Sequence, residues 1–265
     1  MRTQSSDNAG ETQSEASVGL PIPIRDASLF KHSASAPVVN FLADNPEFDL
    51  SVRQLARVTD VSARATADAV DALAANGIVE VVHEGNARRV RLNRARFDNP
   101  GDPVERIPQV QYRTPVRIAC QYLTDELQEV LGIVLFGSVA RGEADRQSDI
   151  DLWVLVADDL LEQRNAANTL ARKLEELQIP PSVALLEAQD RDFDSQWPAM
   201  RQRLEADDRE WASAQRHSFE FVVETPQSIR QQSTRVNTRR LFGEGITIRS
   251  SDGLDSVKRE VLRDE

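Results

Sequence analysis

A single cysteine, Cys120, stands in the whole chain, so an internal disulfide is excluded and a cysteine-based metal site lacks its second thiolate. No apolar run approaches the roughly 18 residues that a membrane-spanning helix needs, which excludes a membrane protein of that kind. Residues Met1–Ser17 are polar, with no apolar stretch behind Arg2, so no secretory signal is read there and the expected location is the cytoplasm. Lysine is nearly missing too. Lys31, Lys173 and Lys258 are the only three among 32 Lys+Arg, against 43 Asp+Glu, for a net charge of −11. An acidic, lysine-poor surface stays soluble in concentrated salt, whereas in dilute buffer the same charge repels itself and loosens the fold. The balance therefore speaks of solvent more than of partners.

What is present is globular: 265 residues, 40% hydrophobic and 28% charged, enough for two modest domains. The charge pattern resembles that of proteins from salt-adapted archaea. Composition shifts divide the chain into a polar, disordered arm over 1–27, a first module over 28–97, a Pro- and Gly-rich linker over 98–112 (Pro100, Gly101, Pro103, Pro108), and a second module over 113–265. The first module carries eight basic and eight acidic residues between Ser28 and Arg94 and is neutral within an acidic chain.

In that module the apolar spacing predicts a helix over Ala36–Ala43, a second over Ser51–Thr59 opened by a capping serine, and a third from Ser62 through Ala75 stopped at Asn76-Gly77. A β-hairpin follows, Ile78–Val82 against Arg88–Leu92. Helix, turn, helix and hairpin in this order resemble the winged helix-turn-helix domains of archaeal and bacterial transcription regulators. The resemblance implies DNA as partner, with a recognition helix in the major groove and a wing on the backbone. The residues expected to reach DNA are Ser62, Arg64 and Thr66 at the start of the third helix, and Arg88, Arg89 and Arg91 on the wing. Such domains commonly dimerise, so a homodimer is also expected. Asp68 and Asp71 on the same helix leave protein docking as the alternative use.

The second module holds the sharpest signal: Ile133-Val-Leu-Phe136-Gly137-Ser138-Val139-Ala140-Arg141-Gly142, then Ser148-Asp149-Ile150-Asp151-Leu152. A buried strand that stops at a glycine feeds a turn where a ligand can approach the backbone, and Ser138 opens a helix whose N–H groups face that spot. Asp149 and Asp151, two apart on a strand, project from one face, and paired carboxylates suit a divalent metal. The remaining strand positions are apolar. These twenty residues resemble the minimal members of the nucleotidyltransferase superfamily that includes DNA polymerase beta. The fold implied is α+β, a mixed sheet with helices behind the winged helix.

That resemblance implies transfer of a nucleoside monophosphate from an NTP, ATP being the expected donor, with two Mg²⁺ ions at Asp149 and Asp151. Gly137 and Ser138, with Arg141 and Ser148, would hold the nucleotide. A third carboxylate belongs on a later strand, Ser218–Ser228. Counting back from Pro226 puts the slot on Val222, between Glu220 and Glu224 on one face; Glu224 is the expected third acid, with Glu220 and Glu187 as the others weighed. A long helix is expected over Asp159–Leu177, an acidic helical insertion over about 180–216, a last strand within Leu241–Ile248 and a short helix from Asp252. Cys120 is read as core, and His32, His83 and His217 as surface. The acceptor is not written in the chain: a protein such as a toxin partner, a small molecule and RNA all fit. The alternative is a winged-helix regulator whose transferase domain only senses nucleotide.

Overall fold

The computed structural model describes residues 22–24, 26–85, 87–94, 97, 102–180, 193–206 and 214–262. In the first module α1 (Ser35–Asp44) is followed by a two-residue strand β1 (Leu50–Ser51), α2 (Val52–Val58), α3 (Ala63–Ala75) and the hairpin β2 (Val79–Glu84) and β3 (Ala87–Leu92). Each start has a local cause. Ser51 and Gln54 form a reciprocal capping box on α2, and the Ser62 hydroxyl accepts from the Ala65 N–H at 3.2 Å to open α3. Glu84 pairs with Ala87, so the hairpin closes over two residues rather than the five expected, with Gly85 at φ 58° making the reversal. Val38, Phe41, Leu42, Leu55, Val70 and Leu73 bury their side chains between the three helices and the sheet β1-β3-β2.

The second module is a four-stranded sheet in the order β6-β5-β4-β7: β4 (Val130–Phe136), β5 (Ile150–Val156), β6 (Phe219–Glu224) and β7 (Ile246–Arg249). β4 runs antiparallel to β5 and β7, while β6 lies parallel to β5. Alternation splits β5 cleanly. Ile150, Leu152 and Val154 face a core shared with α4 (Arg113–Glu126), α6 (Leu160–Glu176) and α7 (Phe193–Leu204). Trp153 and Leu155 face the opposite layer, where α8 (Pro226–Arg230), α9 (Thr238–Glu244) and α10 (Asp252–Leu262) lie. Asp151 belongs to this second row, at the end where the apolar cover stops.

Several expectations change. Residues 102–112, read as part of a linker, form two 3-10 turns, Pro103–Arg106 and Val110–Tyr112, that bury Val104, Ile107 and Tyr112 in the transferase-side core. Proline and glycine marked turns, but the apolar residues between them are anchors. In the acidic insertion α7 is packed rather than solvated: Trp197 is buried, donates its indole N–H to Asp125 at 2.7 Å and meets the Tyr122 ring edge-on. Of the stretch Leu241–Ile248, the last strand occupies only the end from Ile246, and Leu241 to Glu244 belong to α9. Cys120 lines the core as expected, its thiol pushed up to about 12 by burial. Most of the arm over 1–27 lies outside the described residues; Ile24 is buried, and its N–H and carbonyl both bond the Asn40 amide.

The modules share an interface built on buried charge. Asp44, at the end of α1, accepts from Arg106 at 2.8 Å and from the Thr247 N–H and hydroxyl at 2.8 and 2.6 Å. The ammonium of Lys258 on α10, 2% exposed, donates to Asn45 and Thr247 at 2.6 and 2.7 Å. Leu262 enters the core of the first module, and its carbonyl accepts from Gln54. α9 crosses α2 at Gly243, where a side-chain carbon would sit 1.9 Å from the Val58 carbonyl oxygen.

Candidate active site

The antiparallel pair Phe136↔Asp151 sets the turn after β4 directly beside the first residues of β5. Gly137 adopts φ 72°, and a carbon placed on it would stand 1.9 Å from the Asp151 carboxylate oxygen. Glycine is required twice over there: the backbone angle disfavours any side chain, and the carboxylate fills the space. α5 (Gly137–Arg141) begins at this glycine, one residue earlier than expected, and ends at Gly142 in the left-handed region.

The parallel register separates the acids weighed for the third position. Asp151 lies opposite Glu220, and Leu155 opposite Glu224. Glu220 is exposed at the same edge as Asp149 and Asp151. Glu224, the acid expected from the sequence, is at the far end of β6 and fully buried; it pairs with Arg164 at 3.0 Å and accepts from the Ser228 hydroxyl and the Arg235 N–H. That corrects the assignment. The distance to Pro226 leaves the register of β6 on β5 open, and that register sets Glu220, not Glu224, opposite Asp151. Val222 lies in the apolar layer between them, and Glu187 falls outside the described residues.

The acids act on one another. Burial, then the charges of Glu220 and Asp149, raise the Asp151 carboxyl to about 6, with Arg141 opposing. Because the native value exceeds the ordinary 3.8, ionised Asp151 destabilises the fold above pH 6, and that penalty fades as pH falls toward 4. In chelator at pH 7.5, Asp151→Asn is therefore expected to raise stability by roughly 1–2 kcal/mol after allowance for solvent screening, a few degrees in melting temperature. The gap from wild type should narrow below pH 6 and close near pH 4. A variant that melts no higher than wild type throughout a pH series would contradict this electrostatic account.

The other expected ligands divide. Arg141 is exposed, paired with Glu143 at 2.8 Å and near enough to Asp151 to affect its proton. The Ser138 side chain is partly exposed beside Gly137. Ser148, expected at the nucleotide, instead closes the preceding turn: its hydroxyl accepts from the Asp145 N–H at 2.9 Å and donates to the Asp145 carboxylate at 3.0 Å. A cleft of about 450 Å³ is lined by Tyr112, Asp145, Arg146, Ser148, Arg216 and His217, on the segments that lead into Asp149 and Glu220. His217, expected on the surface, packs edge-on to Tyr112 with ring centroids 5.9 Å apart, and burial lowers its proton affinity. Its position three residues before Glu220 was the available signal.

On the first module Ser62 and Arg64 are exposed at the start of α3. Thr66 is not available: it is fully buried, and its hydroxyl donates to the Ser62 carbonyl at 3.0 Å. One helical turn past the cap, it faces inward. The wing arginines are exposed or partly so, but each is held by an acid of the same module: Arg88 by Asp71, Arg89 by Glu84 at 3.0 Å and Arg91 by Glu80 at 2.7 Å.

Residues 119–205 match the family model described as a nucleotidyltransferase domain, and residues 33–89 match that of the MarR family. The chain thus joins a MarR-type winged-helix domain to a nucleotidyltransferase domain, and its fold is α+β. No curated protein and no solved structure was found to match it. β6, with Glu220, lies beyond the matched span. No helix among the described residues is long and apolar enough to cross a membrane.

Proposed function

We propose that this protein transfers a nucleoside monophosphate from an NTP, with ATP as the expected donor, to an acceptor hydroxyl, and that its winged helix holds the enzyme on DNA. The observation that carries the reading is the meeting of Asp149, Asp151 and Glu220 at one sheet edge beside a glycine turn that leaves no room for a side chain.

Among the described residues no three His, Cys, Asp or Glu side chains cage a metal by themselves. Asp149 and Asp151 nonetheless fit Mg²⁺, which takes one or two carboxylates and fills its remaining positions with water and phosphate. Burial, with the charges of Glu220 and Asp149, disfavours the ionised Asp151, and a bound cation would offset that. When bound there, the ion supplies Lewis acidity toward phosphoryl oxygens. The chain's own groups do the rest. The Gly137–Ser138 turn lets the triphosphate lie against the backbone, and Arg141 brings positive charge to the same edge. Glu220 receives the proton of the acceptor hydroxyl as its oxygen attacks the α-phosphorus, and the bond to the departing pyrophosphate breaks. The cleft lined by Arg146, Arg216 and His217 is where an acceptor can sit. The acceptor itself, whether a protein such as a toxin partner, a small molecule or RNA, is open. Glu220 supplies the carboxylate whose absence would have favoured a nucleotide sensor, so the enzyme is the preferred reading.

The test is incubation with α-³²P-labelled NTPs and Mg²⁺ in high KCl, with and without lysate of the source cells. Wild type should label a macromolecule or small acceptor, and Asp149→Asn with Asp151→Asn should not. Nucleotide binding without label transfer, with DNA affinity altered by the nucleotide, would establish the sensor instead.

A further inference from the structure

From Thr225 to Gly243 the chain holds four arginines, Arg230, Arg235, Arg239 and Arg240, and no acid, inside a protein of net charge −11. All four are exposed on α8, α9 and the loop between them. These helices do not face open solvent alone. α9 lies across α2 at the tight Gly243–Val58 contact, which brings the arginines against the helix-turn-helix of the other module. There Arg57 and Asp60 of the turn, with Arg230, Arg239 and Arg240, line a cleft of about 480 Å³ bounded by Glu260. Arg230 and Arg240 pair with Glu260 and Glu244 through exposed side chains, ion pairs worth little in water and readily exchanged for phosphate.

The location matters. In helix-turn-helix docking the second helix enters the major groove while the first crosses the sugar-phosphate backbone. α2 is that first helix, and the Asp60 turn leads into α3, whose exposed Arg64 faces the groove. Side chains beside the end of α2 therefore face the phosphates that flank the groove. The wing arginines Arg88, Arg89 and Arg91 are each paired with an acid, as Arg230 and Arg240 are, so the wing alone carries no large excess of positive charge. A neutral winged helix needs that charge from elsewhere, because neutralised phosphates supply most of the sequence-independent affinity for DNA.

We infer that Arg230, Arg239 and Arg240 of the transferase module, with Arg57 of the helix-turn-helix, form a phosphate-binding ledge that continues the DNA face, so that both modules grip one duplex. This rests on the winged helix being a DNA binder. DNA held on this ledge lies along α9, whose other end shares a second pocket with Ala140 and Arg141 of α5, so the duplex is seated close to the catalytic turn.

The experiment uses the full chain and a random-sequence DNA duplex, since phosphates are bound without regard to sequence, with single-stranded RNA of equal length as the second probe. Affinity is measured across a KCl series for wild type, the triple variant Arg230→Ala, Arg239→Ala, Arg240→Ala, its lysine counterpart, and Arg64→Ala. The alanine triple variant is expected to bind duplex at least about 10-fold more weakly and to flatten the slope of log affinity against log salt by about two to three, at about 0.9 for each phosphate no longer neutralised. The lysine version should restore most of both. Three exposed substitutions should leave the melting temperature nearly unchanged. Wild-type affinity and slope in the alanine triple variant, with binding abolished in Arg64→Ala, would overturn the ledge and keep the winged helix as DNA reader. Failure of wild type to bind any duplex would overturn both. Loss of RNA binding alone would reassign the arginines to an RNA acceptor and overturn the duplex assignment.

Discussion

Glu220→Gln is expected to abolish transfer, by about 10²- to 10⁴-fold in turnover, while leaving the protein folded and still able to bind nucleotide. The side chain is exposed at the sheet edge and makes no buried contact, so its loss exposes nothing; if anything it relieves the repulsion that raises Asp151. Glutamine keeps the shape and removes the proton acceptor. Glu224→Gln should do the reverse. That carboxylate is fully buried and pairs with Arg164, which is itself largely covered, and removing one partner of such a pair costs about 3 kcal/mol. Turnover per folded molecule should survive. Label transfer and thermal melting on both variants separate the roles in one comparison. Full turnover in Glu220→Gln, or a well-folded but inactive Glu224→Gln, would sink the assignment.

Asp44→Ala should cost about 3–5 kcal/mol and loosen both modules together, because it leaves the buried Arg106 and Lys258 without their shared anion. Lys258 already suffers from burial, which lowers its proton affinity, with the negative charge of Asp44 holding the proton in place. Without Asp44 the cheapest response is to lose the proton or admit water at the interface. Calorimetry on wild type should show a single transition for the two modules. The variant should melt lower, with the transferase and winged-helix signals separating. Asp44→Ala combined with Lys258→Met should recover part of the loss, since one of the two stranded cations is then gone. A variant that melts with wild type would mean that the interface is not held by this network.

Local chemistry made much of this fold legible. The capping serines Ser51 and Ser62, the apolar spacing of α1 to α3 and the run from Ile133 to Asp151 each state their structure within a few residues. What was not legible depends on partners distant in sequence. Whether Glu220 or Glu224 joins Asp151 is set by the register of β6 on β5, and alternation alone places both on one face. Thr66 looked exposed because it is polar and near a cap, yet its hydroxyl bonds back into its own helix and its position faces the core. The ion pairs that occupy the wing arginines join residues on separate strands and helices, and the anchoring role of 102–112 was hidden by its prolines. The Asp44–Thr247 contact spans 203 residues, beyond the reach of any local pattern.

Leu262 also sets an order of events during synthesis. This side chain is part of the core of the first module, and Gln54 bonds the carbonyl of the same residue 208 positions later. A winged helix emerging from the ribosome therefore lacks one residue of its core until α10 has been made. Long-range closure of this kind slows folding and leaves sticky surface exposed meanwhile. The nascent chain should thus be more dependent on chaperones, and more prone to aggregate when translation stalls late, than a chain whose winged-helix module folds by itself.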